Sequence, residues 1–115
     1  MATRNVRLEK VQELIKQEVS NIILNNLKNP QIKNTTVTAV ELTNDLRSAK
    51  IYVSFYGNEQ DKEQSFIGLQ KSLGFIRKEI GSRIRLRFTP ELSFHIDKSL
   101  EYSEHIQKLL AKVSG

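Results

Sequence analysis

Apolar residues in the first quarter of the chain recur at helical spacing. Val11 and Ile15 are followed by Val19 or Ile22, then Ile23 or Leu27, with polar residues between, which predicts an amphipathic helix over Arg4–Leu27. Thr3 or Asn5 can cap its start, and Pro30 in "KNPQ" stops it. The next stretch, "TTVTAVELTNDLRSAKIYVSFYG", is dominated by β-branched residues and predicts a hairpin of Thr35–Thr43 and Ser48–Tyr56. Asn44 and Asp45 supply the turn chemistry, since their side chains bond back to nearby backbone. In the second strand Ala49, Ile51, Val53 and Phe55 face one way, and Lys50, Tyr52, Ser54 and Tyr56 the other. The first strand alternates poorly, so its inward face stays undecided. Tyr52 and Tyr56 beside Lys50 would suit base stacking, but such tyrosines more often cover an outer sheet face.

Beyond a polar loop, Phe66, Leu69, Leu73, Ile76, Ile80 and Ile84 trace one helical stripe. Ile84 continues the stripe, which assigns Arg83 and Arg85 to a helix end and not to a strand. Lys71, Lys78, Ser82 and Arg85 then lie nearly opposite the stripe, flanked by Arg77 and Arg83, as a basic ridge on a core-packed helix. Glycines at 68, 74 and 81 interrupt this helix and predict a break near Gly74, giving two helices at an angle. The bland alternative is that a glycine allows close packing on the sheet. Pro90 ends the segment, Leu92, Phe94 and Ile96 alternate as a third strand, and Ile106, Leu109, Leu110 and Val113 mark a short final helix. The expectation is a single α+β domain over 1–115 with element order α-β-β-α-α-β.

Composition narrows the chemistry. The formal charge of +5 favours a polyanionic partner without establishing one. Of the other basic residues, Arg4, Arg7, Lys10 and Lys16 load the first half of the first helix, and Lys10 and Lys16 read as a solvated face. The chain has no cysteine, which excludes disulfides, thiol catalysis and cysteine-ligated zinc. No apolar run approaches a membrane span and no signal-peptide layout precedes the first helix, so a soluble cytoplasmic protein with no membrane partner is expected. His95 and Asp97 share a strand face, and with Glu101 and His105 they could imitate a metal site, but no ligand framework such as HExxH supports one. There is no phosphate-binding glycine loop and no Gly-x-Ser-x-Gly. No enzyme activity, metal or cofactor is expected. A ridge of Lys and Arg can instead run along phosphates without reading bases, which suits structured RNA.

The element order is that of a type II KH fold, yet the chain contains no G-x-x-G, the loop with which KH domains clamp single strands. Three stretches carry a more specific resemblance: "NLKNPQI", "VTAVELTNDLRSAKIYVSFYG" and "LGFIRKEIGSRIRLRFTPELSFHIDKSLEYSEHI". With Asp45, Leu46 and Ala49 before a strand, then Arg87, Thr89-Pro90, Phe94 and Asp97, the chain from about Arg4 to Leu110 resembles the ribosome-binding factor A family. That family is KH-like, with an Ala-x-Gly kink in place of the loop. The matching triplet here is Ser72-Leu73-Gly74, and Asn29-Pro30-Gln31 stands where the family often has Asp-Pro-Arg. The resemblance implies a monomeric, non-enzymatic assembly factor that binds the free or immature 30S subunit. It implies contact with 16S rRNA near its 5′-terminal helix and the decoding-region neck, help in late processing, and support of growth in the cold. It also implies that Arg77, Lys78, Arg83, Arg85 and Arg87, and secondarily Arg4 and Arg7, carry charge to RNA; Lys71 joins them from the ridge. A KH-like module for another structured RNA and a protein-interaction domain are the alternatives.

Overall fold

In the computed structural model, which describes residues 5–32 and 34–99, the chain runs α1 (Val6–Asn25), β1 (Thr35–Leu42), β2 (Ser48–Phe55), α2 (Glu59–Lys71), α3 (Leu73–Arg83) and β3 (Glu91–Ile96). The expected α+β order is therefore borne out. Arg4 and the segment carrying the expected final helix lie outside the described residues.

Each element forms for a local reason. Asn5 caps α1, its side-chain oxygen accepting from the Leu8 amide at 3.1 Å. The helix buries Val11, Ile15, Val19, Ile22 and Ile23, resolving both alternatives in the spacing in favour of a broad apolar face. Asn58 caps α2 in the same way, through the Asp61 amide. In the hairpin, Asp45 accepts from the Thr43 hydroxyl at 2.6 Å and from the Arg47 amide at 3.0 Å, so the predicted turn chemistry is present. The two hydrogen bonds, the hydroxyl's first, hold the Asp45 carboxyl below its ordinary range. Leu46 takes a left-handed backbone (φ 62°), a strain offset as its half-buried side chain packs on the core.

The sheet has the order β1-β2-β3, with β1 antiparallel to β2 and β3 parallel to it. Val37 pairs with Val53 and Ala39 with Tyr52, leaving Thr38 as an extra residue in a bulge. This bulge is why β1 alternates poorly: it shifts the phase of the pleat midway along the strand. The freed Thr38 hydroxyl donates to Asp97 at 2.7 Å, across β2, and Ser99 donates to the same carboxylate through its amide and hydroxyl. Among the described residues the helices lie on one sheet face, with α1 over β1 and α3 against both α1 and β3. Between them Ile15, Val19, Ile22, Ile51, Val53, Leu69, Ile76 and Ile80 are almost wholly shielded from solvent. On the uncovered face the Tyr52 hydroxyl donates to Glu41 at 2.8 Å and its ring lies 5.7 Å from that of His95. Tyr52 is thus a sheet-covering residue, whereas Tyr56 lies just past the strand and is exposed.

The expected break between the two middle helices is present, but at Ser72 (φ −90°, ψ 0°), two residues before Gly74. Ser72 belongs to both helices: its amide donates to the Gly68 and Leu69 carbonyls, and its carbonyl accepts from Ile76. Gly74 contributes no special backbone, and a Cβ there would meet nothing within 4 Å. The glycine with a packing role is Gly68, where a Cβ would come 2.8 Å from Ile32 Cγ1 and 3.2 Å from Asn29 Nδ2. A second departure concerns the end of α3. Ile84 is already extended (φ −117°, ψ 122°), so Arg83 is the last helical residue and Arg85 lies beyond it. Ile84 stays in the core as an extended residue. From there the chain alternates, with Ile84 and Leu86 inward and Arg85 and Arg87 outward.

Two stability tests follow from these placements. Gly74→Ala should raise the melting temperature, by up to about 1 kcal/mol of helix propensity, because the space and backbone accept alanine. Gly68→Ala should lower it by roughly 1 kcal/mol, since overpacking against Ile32 outweighs the same propensity gain. The Ser99 and Thr38 hydrogen bonds hold the Asp97 carboxyl below its ordinary value of 3.8. A depressed folded pKa contributes stability above the ordinary value and loses it as pH falls through the folded one. Acid titration of stability should therefore show Asp97→Asn losing less than the unmodified protein below about pH 4.

Candidate nucleic-acid interface

The basic candidates run along α3, from Lys71 just before it to Arg85 and Arg87 just after it, and they fall into two groups. Arg77 and Arg83 are engaged internally. Arg77 donates through Nε to the Pro90 carbonyl at 3.0 Å and through Nη2 to the Thr89 carbonyl at 2.9 Å, and pairs with Glu91 at 3.4 Å. It fastens the entry to β3, where Pro90 provides no amide. Arg83 donates to Glu18 of α1 at 3.1 Å, to Asn26 at 3.0 Å and to Glu79 at 3.3 Å. Its side chain is only 24% exposed, and its carboxylate partners are similarly sheltered. It ties the C-terminus of α3, where a cation also favours the helix dipole, to the side of α1.

The second group points outward. Lys71 ends α2, Lys78 stands midway along α3, and Arg85 and Arg87 alternate out of the segment after it; all four are exposed. None of the ion pairs among the described residues involves them. Beside Lys78, Gly74, Arg77, Gly81 and Thr89 line an open groove of about 410 Å³. Gly74 leaves its turn of the helix without a side chain, so a partner's backbone can approach closely there, whereas two turns on Gly81 makes room for Thr89. Thr89 takes part of that space: its Oγ1 would be 2.7 Å from a Cβ at Gly81. In the kink triplet, Ser72 and Leu73 are half-buried and Gly74 is exposed, at the head of the groove.

Arg7 projects from the first turn of α1 toward the hairpin turn and lines a cleft with Arg47, Arg87 and Phe88. Sequence reasoning passed over Arg47 and Phe88. Neither belongs to a helical stripe, and only folding brings the β1–β2 turn beside the α3–β3 segment through the Glu91 amide donating to the Arg47 carbonyl at 2.8 Å.

The other chemistry weighed from the sequence finds structural roles. His95 Nε2 lies 2.9 Å from Ser93 Oγ, and Asp97 is held by Thr38 and Ser99. Glu101 and His105 lie outside the described residues. Among the described residues no three His, Cys, Asp or Glu side chains form a group able to hold a metal, and no helix is long and apolar enough to cross a membrane.

The division between the two arginine groups predicts opposite effects on folding. Arg83→Ala should cost about 1–2 kcal/mol in chemical denaturation, because Glu18 and Glu79 lose a sheltered, charge-assisted partner. Lys78→Glu and Arg85→Glu should leave stability within about 0.5 kcal/mol, as exposed side chains without partners do.

Comparison with known proteins agrees with this architecture. The family model described as Ribosome-binding factor A matches residues 7–110. Ribosome-binding factor A of Acetivibrio thermocellus is 48% identical over 110 residues, covering 95% of this chain and 89% of its own. The solution structure of a Thermotoga maritima protein assigned to the same family superposes with a TM-score of 0.72 at 30% identity, covering 88% of this chain and 96% of that one. A Thermus thermophilus ribosome-binding factor A homology model, fitted into a cryo-EM map of a 30S complex, shares the fold with a TM-score of 0.64 at 24% identity, over 76% of this chain and 91% of that one. With the fold and the match over nearly the whole length in agreement, this chain belongs to the ribosome-binding factor A family.

Proposed function

We propose that this protein is a non-enzymatic assembly factor that binds the free or immature 30S subunit through its 16S rRNA and assists late maturation and rRNA processing. The family match over residues 7–110 carries this reading, because it spans the fold and the outward basic side together. The Thermus relative fitted into a 30S complex supports the small subunit as the partner. Lys71, Lys78, Arg85 and Arg87 are the residues assigned to phosphate contact, with Arg7 at the end of the same side. Arg77 and Arg83 support that surface by fixing the segments that carry it. In this reading the protein acts as a monomer in the cytoplasm, needs no cofactor, and supports growth in the cold, when misfolded RNA intermediates persist longest.

The groove beside Lys78 favours a structured RNA partner. Lys78 projects from a helix flank that carries no side chain at Gly74, and a lone cation over bare helix can meet a phosphate without reading a base. Contacts of this kind release counterions, so each phosphate neutralised adds about −0.9 to the slope of log affinity against log salt, as established for duplexes.

Sedimentation with purified ribosomal particles checks the proposal. The protein should travel with free 30S subunits and not with translating ribosomes, and affinity should fall steeply with salt. Lys78→Glu and Arg85→Glu should each weaken this binding roughly tenfold while the protein stays folded. Equal association with translating ribosomes would sink the maturation role, and a salt-insensitive affinity would sink the phosphate-contact surface.

A further inference from the structure

Phe88 is a large apolar side chain left 56% exposed in the segment between α3 and β3. Guanidinium carbons of Arg47 and Arg87 lie 5.4 Å and 5.5 Å from its ring centroid, within cation–π range. The ring forms one wall of a cleft of about 310 Å³, whose other walls include Arg7, Asp45, Arg47, Leu86 and Arg87. Three elements distant in sequence supply these groups: the first turn of α1, the β1–β2 turn and the segment before β3. Three arginines face one carboxylate there. Asp45 accepts from the Thr43 hydroxyl and the Arg47 amide through one oxygen to hold the turn, and its single negative charge offsets only part of the three guanidiniums.

An exposed aromatic ring flanked by guanidiniums has a specific complement. A duplex presents phosphates to arginines but keeps its base faces stacked, which leaves the ring unused. An acidic peptide would likewise satisfy the arginines and leave the ring bare. The guanidiniums already lie over the ring, and an unpaired nucleotide is the partner that can replace them there: its flanking phosphates draw the cations aside and its base takes the freed ring face. We propose that the cleft between Arg7, Arg47 and Arg87 holds one unpaired nucleotide of an RNA strand, its base stacked on Phe88 and its neighbouring phosphates on the guanidiniums. This rests on the RNA-binding reading above and extends it: the cleft shares Arg7 and Arg87 with the phosphate-contact surface and adds Arg47 and the Phe88 ring. The protein would then grip a junction between helical and single-stranded RNA. The strand-reading task that a KH domain gives to its loop would fall to the opposite end of the hairpin.

The test uses the full chain, a short single-stranded RNA of mixed sequence, and the same RNA annealed to its complement. Phe88→Ala should weaken single-strand binding roughly tenfold, leave duplex binding and the melting temperature unchanged, and leave the salt slope as it was. Phe88→Tyr should restore binding, whereas Phe88→Leu should not, because leucine supplies apolar area without a stacking face. Arg47→Ala should reduce the salt slope by about one. Undiminished single-strand binding by Phe88→Ala, full rescue by Phe88→Leu, or no single-strand binding by the unmodified protein would each overturn the site. Lys78→Glu separates the two readings. If it weakens duplex binding while Phe88→Ala changes nothing, only this cleft is refuted; if it has no effect on either RNA, the phosphate-contact flank is refuted instead.

Discussion

The parallel pairing of β2 with β3 is the constraint from which the rest of the architecture follows. A chain leaving β2 must return to the opposite end of the sheet before it can pair again, so a crossover is obligatory. The crossover is helical from Glu59 to Arg83, 25 residues that would span about 37 Å as one straight helix. An eight-residue strand such as β2 is only about 26 Å long. A straight helix would overshoot the sheet it must cover. The turn at Ser72 solves this by folding the crossover into two shorter pieces, so that α2 reaches the Asn29–Ile32 loop while α3 packs on α1 and β3. The break is therefore a demand of topology, met by a residue that tolerates the bridge region of backbone space. It does not depend on glycine.

This origin explains which parts of the fold were legible in the sequence. β2 buries Ala49, Ile51, Val53 and Phe55 without interruption and β3 buries Leu92 and Phe94 before Ile96 emerges at its end, so their alternation was plain. α1 was legible because its apolar face is wide and its Asn5 cap is local. β1 was blurred by the Thr38 bulge, whose purpose is a hydrogen bond to Asp97, 59 residues away. The helical stripe carried through Ile84 because an extended residue can occupy the same core position that a helical one would. Spacing recorded that Ile84 is buried, but not by what backbone. Gly74 drew attention as the nearest anomaly to a break that lies two residues earlier.

Charge was the least legible property. A helical wheel counts Arg77, Lys78, Arg83 and Arg85 as one ridge, since it sees only angular position. Whether a guanidinium is free depends on what folds against it. Glu18 lies 65 residues from Arg83, and the Thr89 and Pro90 carbonyls that Arg77 fastens come within its reach only where the chain turns back to the sheet. Two of the four cations are thereby converted to structural ties. The remaining surface is narrower than the sequence implied, yet more continuous with Arg87, because the extended segment after Ile84 sends alternate arginines to the same side.

The loss of a glycine loop changes what the helix pair can recognise. A G-x-x-G loop offers backbone amides that lie open to phosphates and a tight path for a single strand. At Ser72 the amide is already spent on Gly68 and Leu69, and the carbonyl on Ile76. The break accordingly offers little backbone of its own. Recognition along α3 has to come from side chains standing over bare helix, with Lys78 projecting beside Gly74 and Gly81. In the proposed reading, such a surface would measure the shape and charge of a helical partner and be indifferent to base identity. Rigidity then matters more than adaptability, which gives the Arg83–Glu18 tie a functional consequence. Holding α3 against α1 fixes the distance between the groove beside Lys78 and the arginines at the hairpin end, and on the proposed reading an RNA would have to match both at once.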